Sequence, residues 1–290
     1  MTIRTIIMPF ASTAHANERL EGALNVARYF GAHLDVLHAQ IGPQQLMPEE
    51  RQLLPSKWLS RIDQLVNNYV AEDMHESEQA FVLLCDKLQV PMLDSDDLVM
   101  NEANLSVSAQ WHNLSGYRAD VVSERGKVSD LIIIPKPLNG KTSVSFDVAL
   151  EHGSRPILLM PREQKQFRPE TVLIAWNGDD PGARAVKASM PLLRQAKNII
   201  VVTSERSLDK KPSQQDLKRY LGLHNIDAEC ISFKEGRTRT PQAILAHAER
   251  FNADLIVAGA FAHKKMHQQI LGGVTRKLLS KTTVSLFMVG

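Results

Sequence analysis

Two short apolar stretches, Asp130 to Pro135 (DLIIIP) and Asp254 to Gly259 (DLIVAG), repeat one pattern within the chain. Each has the length of a strand, and its apolar residues follow one another without alternation, which is typical of a parallel sheet covered on both faces. The first copy ends in Pro135, which has no backbone N–H, whereas the second ends in Gly259. Backbone N–H groups can approach an anion closely where no Cβ intervenes, and the pair Gly272-Gly273 follows before a further helical stretch. The repeat therefore predicts a duplicated fold whose second copy is the better candidate for binding a ligand.

Further landmarks match between the copies. The apolar runs Thr5 to Phe10 and Thr171 to Trp176 each precede a polar turn and an amphipathic helix, and the copies close with Ile157 to Met160 and Ser285 to Val289. Five strands per copy, alternating with helices, predict an α/β protein with a five-stranded parallel sheet flanked by helices in each copy.

The spacing of the landmarks predicts the domain boundaries. We expect a first domain over residues 1–163 and a second over residues 164–290, joined by the polar, proline-bounded stretch from Pro161 to Pro169. The first copy is longer in its middle, between about residues 40 and 104, and this insertion contains a predicted helix from Lys57 to Leu88. Trp58 and Leu65 are among the apolar residues that share one face of that helix.

Composition excludes several classes. A chain of 290 residues with 43% hydrophobic and 23% charged residues is long enough for two cores. The net charge of +2, with basic residues spread among acidic ones, argues against a nucleic-acid-binding protein. The two cysteines cannot form a disulfide framework, and no apolar run is long enough for a signal peptide or a membrane span. We therefore predict a cytoplasmic protein that contacts neither membrane nor nucleic acid.

These residues resemble the universal stress protein family, in the first strand ending in Trp176-Asn177-Gly178 and in the late loop from Gly259 to Thr275. Nucleotide-binding members of that family carry the pattern G-x2-G-x9-G-[ST] in the late loop. Gly259 and Gly272 fit its first and third glycines, whereas Ala262 replaces the second and Gly273 replaces the Ser/Thr. The resemblance implies two tandem Rossmann-like domains, of the adenine nucleotide alpha hydrolase-like type, packed as an intramolecular pseudo-dimer through their final strands.

The resemblance also implies the site residues. ATP or another adenine nucleotide is expected in the second domain, with Mg²⁺ only if it accompanies the nucleotide. Asn177 stands where the family has an aspartate near the ribose, and the adenine is held largely by backbone groups after the second strand. Thr275 lies on the first helical turn, where its hydroxyl can partly replace the one lost at Gly273, and lysines between the glycines add attraction for phosphate. The predicted cofactor-binding residues are Asn177, Gly178, Val202, Thr203, Gly259, Ala262, Lys264, Gly272, Gly273, Val274 and Thr275.

The function expected from this pattern is a stress-response protein that binds nucleotide and acts through conformation or partner binding. No catalytic or metal-binding residue is predicted, because the usual hydrolase, P-loop and zinc motifs are absent from the sequence. The pattern leaves open weak ATP hydrolysis, a homo-oligomer or protein partner, and two rival functions: an interaction protein that has lost nucleotide binding, and an adenylate-transferring or hydrolytic enzyme. The first copy is expected to be degenerate, with a different small ligand beneath Pro135 to Lys141 as an alternative.

Overall fold

The computed structural model describes residues 2–47, 49–93, 107–137, 142–152, 155–234, 240–260 and 273–290. The strands are β1 (Thr5–Phe10), β2 (His33–Gln40), β3 (Ser108–Ser115), β4 (Leu131–Pro135), β5 (Ile157–Met160), β6 (Thr171–Ala175), β7 (Asn198–Ser204), β8 (Glu229–Phe233), β9 (Leu255–Gly259) and β10 (Ser285–Val289). The helices are α1 (Ala16–Phe30), α2 (Pro43–Leu46), α3 (Ser56–Leu88), α4 (Arg118–Arg125), α5 (Val144–His152), α6 (Asp180–Leu193), α7 (Gln214–Leu223), α8 (Thr240–Arg250) and α9 (Gly273–Lys281). The predicted α/β class with mostly parallel strands is confirmed.

The chain divides into two compact units. The N-terminal unit comprises residues 4–130 and 162–167, and the C-terminal unit comprises residues 1–3, 131–161 and 168–290. The last two strands of the first copy, β4 and β5, thus belong to the C-terminal unit. The domain boundary between residues 163 and 164 separates the two copies of the sequence repeat, and it stays a prediction.

The N-terminal unit contains three parallel strands in the order β3-β2-β1. Their apolar residues other than Leu114 are buried, as are Leu20, Ala23, Leu24 and Ala27 on the inner face of α1. Continuous apolar strands need cover on both faces of the sheet. The apolar residues of α1, which recur at helical spacing, cover one of those faces. The first amphipathic helix is therefore where its periodicity predicts it.

The C-terminal unit contains the remaining strands in the order β4-β5-β10-β9-β6-β7-β8. Strands β6 to β10 form the predicted five-stranded parallel sheet of the second copy. Strand β5 pairs antiparallel with β10, with Leu286 opposite Leu159 and Phe287 opposite Leu158. The predicted pairing of the final strands of the two copies is confirmed, because β5 closes the first copy and β10 closes the second.

The insertion in the first copy forms α3, one residue longer than predicted. Trp58 and Leu65, on the apolar face identified in the sequence, have 65% and 61% of their surface exposed. The described buried residues of α3 lie in its C-terminal half instead: Ser77, Phe81 and Cys85. The helix therefore docks through its second half, where the ring of Phe81 packs 5.3 Å from that of Trp111 on β3.

The repeated aspartate has one structural role in both copies. Asp130 Oδ2 accepts hydrogen bonds from the backbone N–H groups of Arg4 at 2.8 Å and Thr5 at 3.0 Å. Asp254 Oδ2 accepts equivalent bonds from Glu170 at 2.9 Å and Thr171 at 2.8 Å. Each aspartate therefore fastens the start of the first strand of its copy, which explains why both DLI stretches begin with a carboxylate.

Replacing Asp130 by alanine is expected to lower the free energy of unfolding by about 1–3 kcal/mol, because the exposed N–H of Arg4 and the half-buried N–H of Thr5 lose a charged acceptor. The variant Asp130→Asn keeps an acceptor oxygen and is expected to lose less. Urea unfolding of the two variants and the parent, followed by circular dichroism, measures the difference. Equal stability of the alanine variant and the parent contradicts the role of the carboxylate.

Candidate functional site

The carboxyl ends of β6 and β9 meet at a topological switch point of the C-terminal unit. Strand β6 pairs with β7 on one side and with β9 on the other, so the chain leaves β6 in one direction and later returns on the opposite side. Open parallel sheets bind ligands in the crevice outside the carboxyl ends of strands at such a point. The predicted residues Asn177 and Gly259 both lie at this end of the sheet.

The turn after β6 requires glycine for two reasons. Gly178 has φ of +75°, in the left-handed region, and a Cβ at this position would lie 2.9 Å from the Pro212 carbonyl oxygen. The same carbonyl accepts a hydrogen bond from Trp176 Nε1 at 3.2 Å. The segment after β7 therefore folds against the turn, and Lys210 approaches it, with its Cβ 3.6 Å from the same Cβ position. The sequence did not predict that Lys210, a potential phosphate contact, lies here.

The amide of Asn177 is not isolated at the strand end. Its Nδ2 donates to Asp179 Oδ2 at 2.7 Å, and its Oδ1 accepts from Asp179 N at 3.3 Å. Asp179 Oδ1 in turn accepts from Gly182 N at 2.8 Å and caps α6. A carboxylate is thus present two residues after the position where the resemblance places one, and sequence analysis missed it. An aspartate just before a helix with proline in its first turn, here Pro181, was the available signal.

Gly259 allows close packing of the helix against the strand. A Cβ on Gly259 would lie 2.7 Å from the Pro181 carbonyl carbon and 2.9 Å from Pro181 Cβ, and it would also collide with Gly182 N. The φ of Gly259 is not in the left-handed region, so its constraint is space. The first residues of α6 consequently lie against the end of β9, which brings the positive end of that helix to the switch point.

The end of β7 carries a buried hydroxyl group without a partner. Val202 uses its carbonyl oxygen to accept from Trp176 N at 2.9 Å, as part of the sheet. The next residue, Thr203, is 1% exposed, and its Oγ1 forms no hydrogen bond. A buried hydroxyl without a partner costs free energy, so Thr203 is a position where a ligand atom would be favourable.

The late glycine loop is only partly described. Helix α9 begins at Gly273, as the sequence predicts, and Thr275 on its first turn is buried. The side chain of Val274 is outside the described part of the chain, as are the predicted site residues Ala262, Lys264 and Gly272 in full. Within the described ranges, no group of three His, Cys, Asp or Glu side chains is arranged to bind a metal ion. In the same ranges, no helix combines the length and apolar character that a membrane span needs.

Comparison with known families decides the assignment of this part of the molecule. Residues 195–290, which run from just before β7 to the end of β10, match the model of the universal stress protein family. This region belongs to the universal stress protein family. The resemblance recognised in the sequence is confirmed. No curated protein matches the chain in a sequence search.

Solved structures show that the universal stress protein fold extends over the whole chain. A universal stress protein from Archaeoglobus fulgidus DSM 4304 superposes with a TM-score of 0.69 at 13% identity, covering 98% of this chain and 97% of that one. A functionally unknown protein from Pseudomonas aeruginosa PAO1 gives a TM-score of 0.55 at 14% identity, covering 99% and 92%. A candidate universal stress protein from Pseudomonas aeruginosa UCBPP-PA14 gives 0.53 at 13% identity, covering 99% and 93%. Tandem Rossmann-like domains are consistent with this coverage.

Proposed function

We propose that this protein binds an adenine nucleotide at the carboxyl ends of β6, β7 and β9 and acts in the stress response by changing its conformation or its partners, with little or no catalysis. The observation that carries the proposal is the unpartnered hydroxyl of Thr203, buried next to the switch point. Backbone groups of Val202 and Thr203 would hold the adenine, and the Thr203 hydroxyl would bond a ring nitrogen. Asn177 would hold the ribose.

The phosphates would lie towards Gly259 and the start of α9. Gly272, Gly273 and Thr275 would supply N–H and hydroxyl donors there, because a helix N-terminus attracts anions. Lys210 and Lys264 would add positive charge. If Mg²⁺ accompanies the nucleotide, Asp179 offers a carboxylate beside Asn177. Asp179 already accepts a hydrogen bond as the cap of α6, so it is not free to activate water. We therefore expect the rate of ATP hydrolysis to be close to the uncatalysed background.

The variant Thr203→Val tests this placement, since it removes the hydroxyl and keeps the shape. Because the hydroxyl has no partner in the free protein, stability is expected to stay equal or rise. The affinity for ATP is expected to fall about two- to tenfold, the value of one neutral hydrogen bond. Titration calorimetry with ATP, ADP and AMP measures affinity, and urea unfolding measures stability.

Thr203→Ser, which keeps the hydroxyl, is the matched control and is expected to bind close to the parent level. Absence of heat with all three nucleotides at about 10 mM contradicts nucleotide binding itself. Binding that is equally strong in the parent and the valine variant contradicts the position of the adenine.

A second candidate function is that of an interaction protein without nucleotide. The contact between Asn177 and Asp179 favours it, because the amide that would hold the ribose is already bonded. The double variant Asn177→Asp, Ala262→Gly restores the pattern of nucleotide-binding members. A large gain in ATP affinity in this variant, from no binding in the parent, would support the second function over the first.

A further inference from the structure

The loop that follows β1 in the N-terminal unit is built around a buried arginine. Arg19 on α1 is 6% exposed, and its Nη2 donates to the carbonyl oxygens of Ala11 at 2.6 Å and Thr13 at 3.2 Å. Its Nε donates to the carbonyl of His15 at 3.2 Å. Arg19 therefore holds the loop at the carboxyl end of β1, the end at which parallel sheets bind ligands.

A second arginine contacts this loop, and a third lies at the start of the neighbouring helix α4. Arg162 lies with its Nη1 3.5 Å from Thr13 Oγ1 and from the Ala14 carbonyl oxygen. Arg118 begins α4. The pKa of Arg19 is lowered to about 10, mainly by burial and also by the positive charges of Arg162 and Arg118, while Glu18 has the opposite effect. Burial also lowers the pKa of Arg118 and of Arg162. The Arg19 guanidinium is thus subject to the positive charge of both other arginines in a partly desolvated place.

The carboxylate nearby does not neutralise this cluster by direct contact with Arg118. Asp73 on α3 accepts from Gln40 Nε2 at 2.6 Å and from Ser12 Oγ, and it lies 3.2 Å from His38 Nε2. Its charge raises the pKa of Arg118, but the buried Arg118 Nε has no hydrogen-bond partner.

The imidazole of His38 cannot offset the positive charge of the arginines, since it is either neutral or itself positive. Burial lowers its pKa, Asp73 opposes that effect and Arg118 adds to it. Glu163, beside Arg162 in sequence, pairs with His15 at 3.4 Å. The arrangement leaves Arg118 with a desolvated donor and nearby positive charge, both of which an anion would offset.

We propose that Arg19, Arg118 and Arg162 form a binding site for a small phosphate-bearing molecule in the N-terminal unit. Guanidinium groups suit this ligand because their planar N–H pairs match phosphate oxygens in a bidentate manner. This site differs in residues and in unit from the nucleotide site of the second copy, and it does not depend on the glycine pattern that the first copy lacks.

Inorganic pyrophosphate is the probe, and Arg118→Gln is the first variant. Titration calorimetry of the full chain is expected to show one pyrophosphate bound in the N-terminal unit, with an affinity about tenfold or more weaker in Arg118→Gln, the loss for one charge-assisted contact. Arg125→Gln is the matched control, because Arg125 is an exposed arginine on the same helix, and its affinity is expected to equal that of the parent.

Arg162→Gln gives a second measurement that does not rely on the folding of α4, and it is also expected to weaken binding. Binding that falls equally in Arg118→Gln and Arg125→Gln would show a general charge effect and overturn the proposal. No binding by the parent at about 10 mM pyrophosphate overturns it as well. Nucleotide binding at the second copy is measured separately through Thr203→Val. The pyrophosphate site and the nucleotide site can therefore be disproved independently of each other.

Discussion

Alanine in place of Gly259 is expected to destabilise the C-terminal unit by about 3 kcal/mol, because the added methyl collides with backbone atoms at the start of α6. Its Cβ would lie 2.7 Å from the Pro181 carbonyl carbon. If the added methyl met the end of a long side chain, that side chain could rotate away. Here it meets the backbone of α6, which can move only if the helix shifts as a whole. That shift would also strain the cap in which Asp179 accepts from Gly182 N.

Gly222→Ala is the matched control for this prediction. Gly222 lies within α7, no atom lies within 4 Å of its Cβ position, and alanine there is expected to leave stability equal or to raise it by up to about 1 kcal/mol. Urea unfolding followed by far-ultraviolet circular dichroism compares the variants. If Gly259→Ala is as stable as Gly222→Ala, the close contact between α6 and β9 is wrong. A loss of nucleotide binding in Gly259→Ala would have a packing cause and would say nothing of a phosphate contact.

Phe81→Ala is expected to lower the free energy of unfolding of the N-terminal unit by about 3–5 kcal/mol. The Phe81 side chain is 0% exposed, and its ring lies 5.3 Å from that of Trp111, which in turn packs 5.1 Å from Phe10. Removing the ring leaves a cavity at the place where the inserted helix meets the sheet. Because the N-terminal half of α3 is largely exposed, we expect the whole helix to loosen.

Leu83→Ala, two residues away on the same helix, is the control. Leu83 is 69% exposed, so its truncation is expected to change stability by less than about 0.5 kcal/mol. Hydrogen exchange along α3, together with urea unfolding, separates loosening of the helix from global destabilisation. Equal effects of the two variants would show that α3 does not depend on the contact between Phe81 and Trp111.

The strands were predictable because their physical signal is local. Apolar runs such as Leu131 to Ile134 are too long and too continuous to be exposed, and the glycines and polar turns at their ends mark where they stop. The helix α3 was also predictable from its periodicity, but its buried face was not. Apolar residues at helical spacing show that α3 has an apolar face. Which part of the helix contacts Trp111 depends on where the sheet lies, and helical spacing does not show that.

The stretch between the copies shows the same limit. Its polar residues and flanking prolines predicted a linker, yet Phe167 within it is 5% exposed and its ring packs 5.3 Å from that of Tyr29. One aromatic residue in a polar segment was the signal of a packed position. The average composition of the segment hides this residue, although the burial of Phe167 determines where the segment lies.

The candidate site was predictable in position more than in contacts. The switch point follows from strand order, and the glycines at residues 178 and 259 followed from the motif. The structural reasons for these glycines did not follow from the motif. A side chain at residue 178 would collide with the Pro212 carbonyl, and one at residue 259 would collide with the start of α6. Both reasons involve segments that are distant in sequence, as does the approach of Arg162 to the loop after β1.

The antiparallel pairing of β5 with β10 bears on how the protein folds during synthesis. Strand β5 leaves the ribosome long before β10, so one of its edges stays unpaired while the second copy is being made. Until then, its buried residues Leu158 and Leu159 have no partner strand on that side. We therefore expect nascent chains that stop short of β10 to be the species that chaperones bind and that aggregate, even though β1, β2 and β3 have already been synthesised.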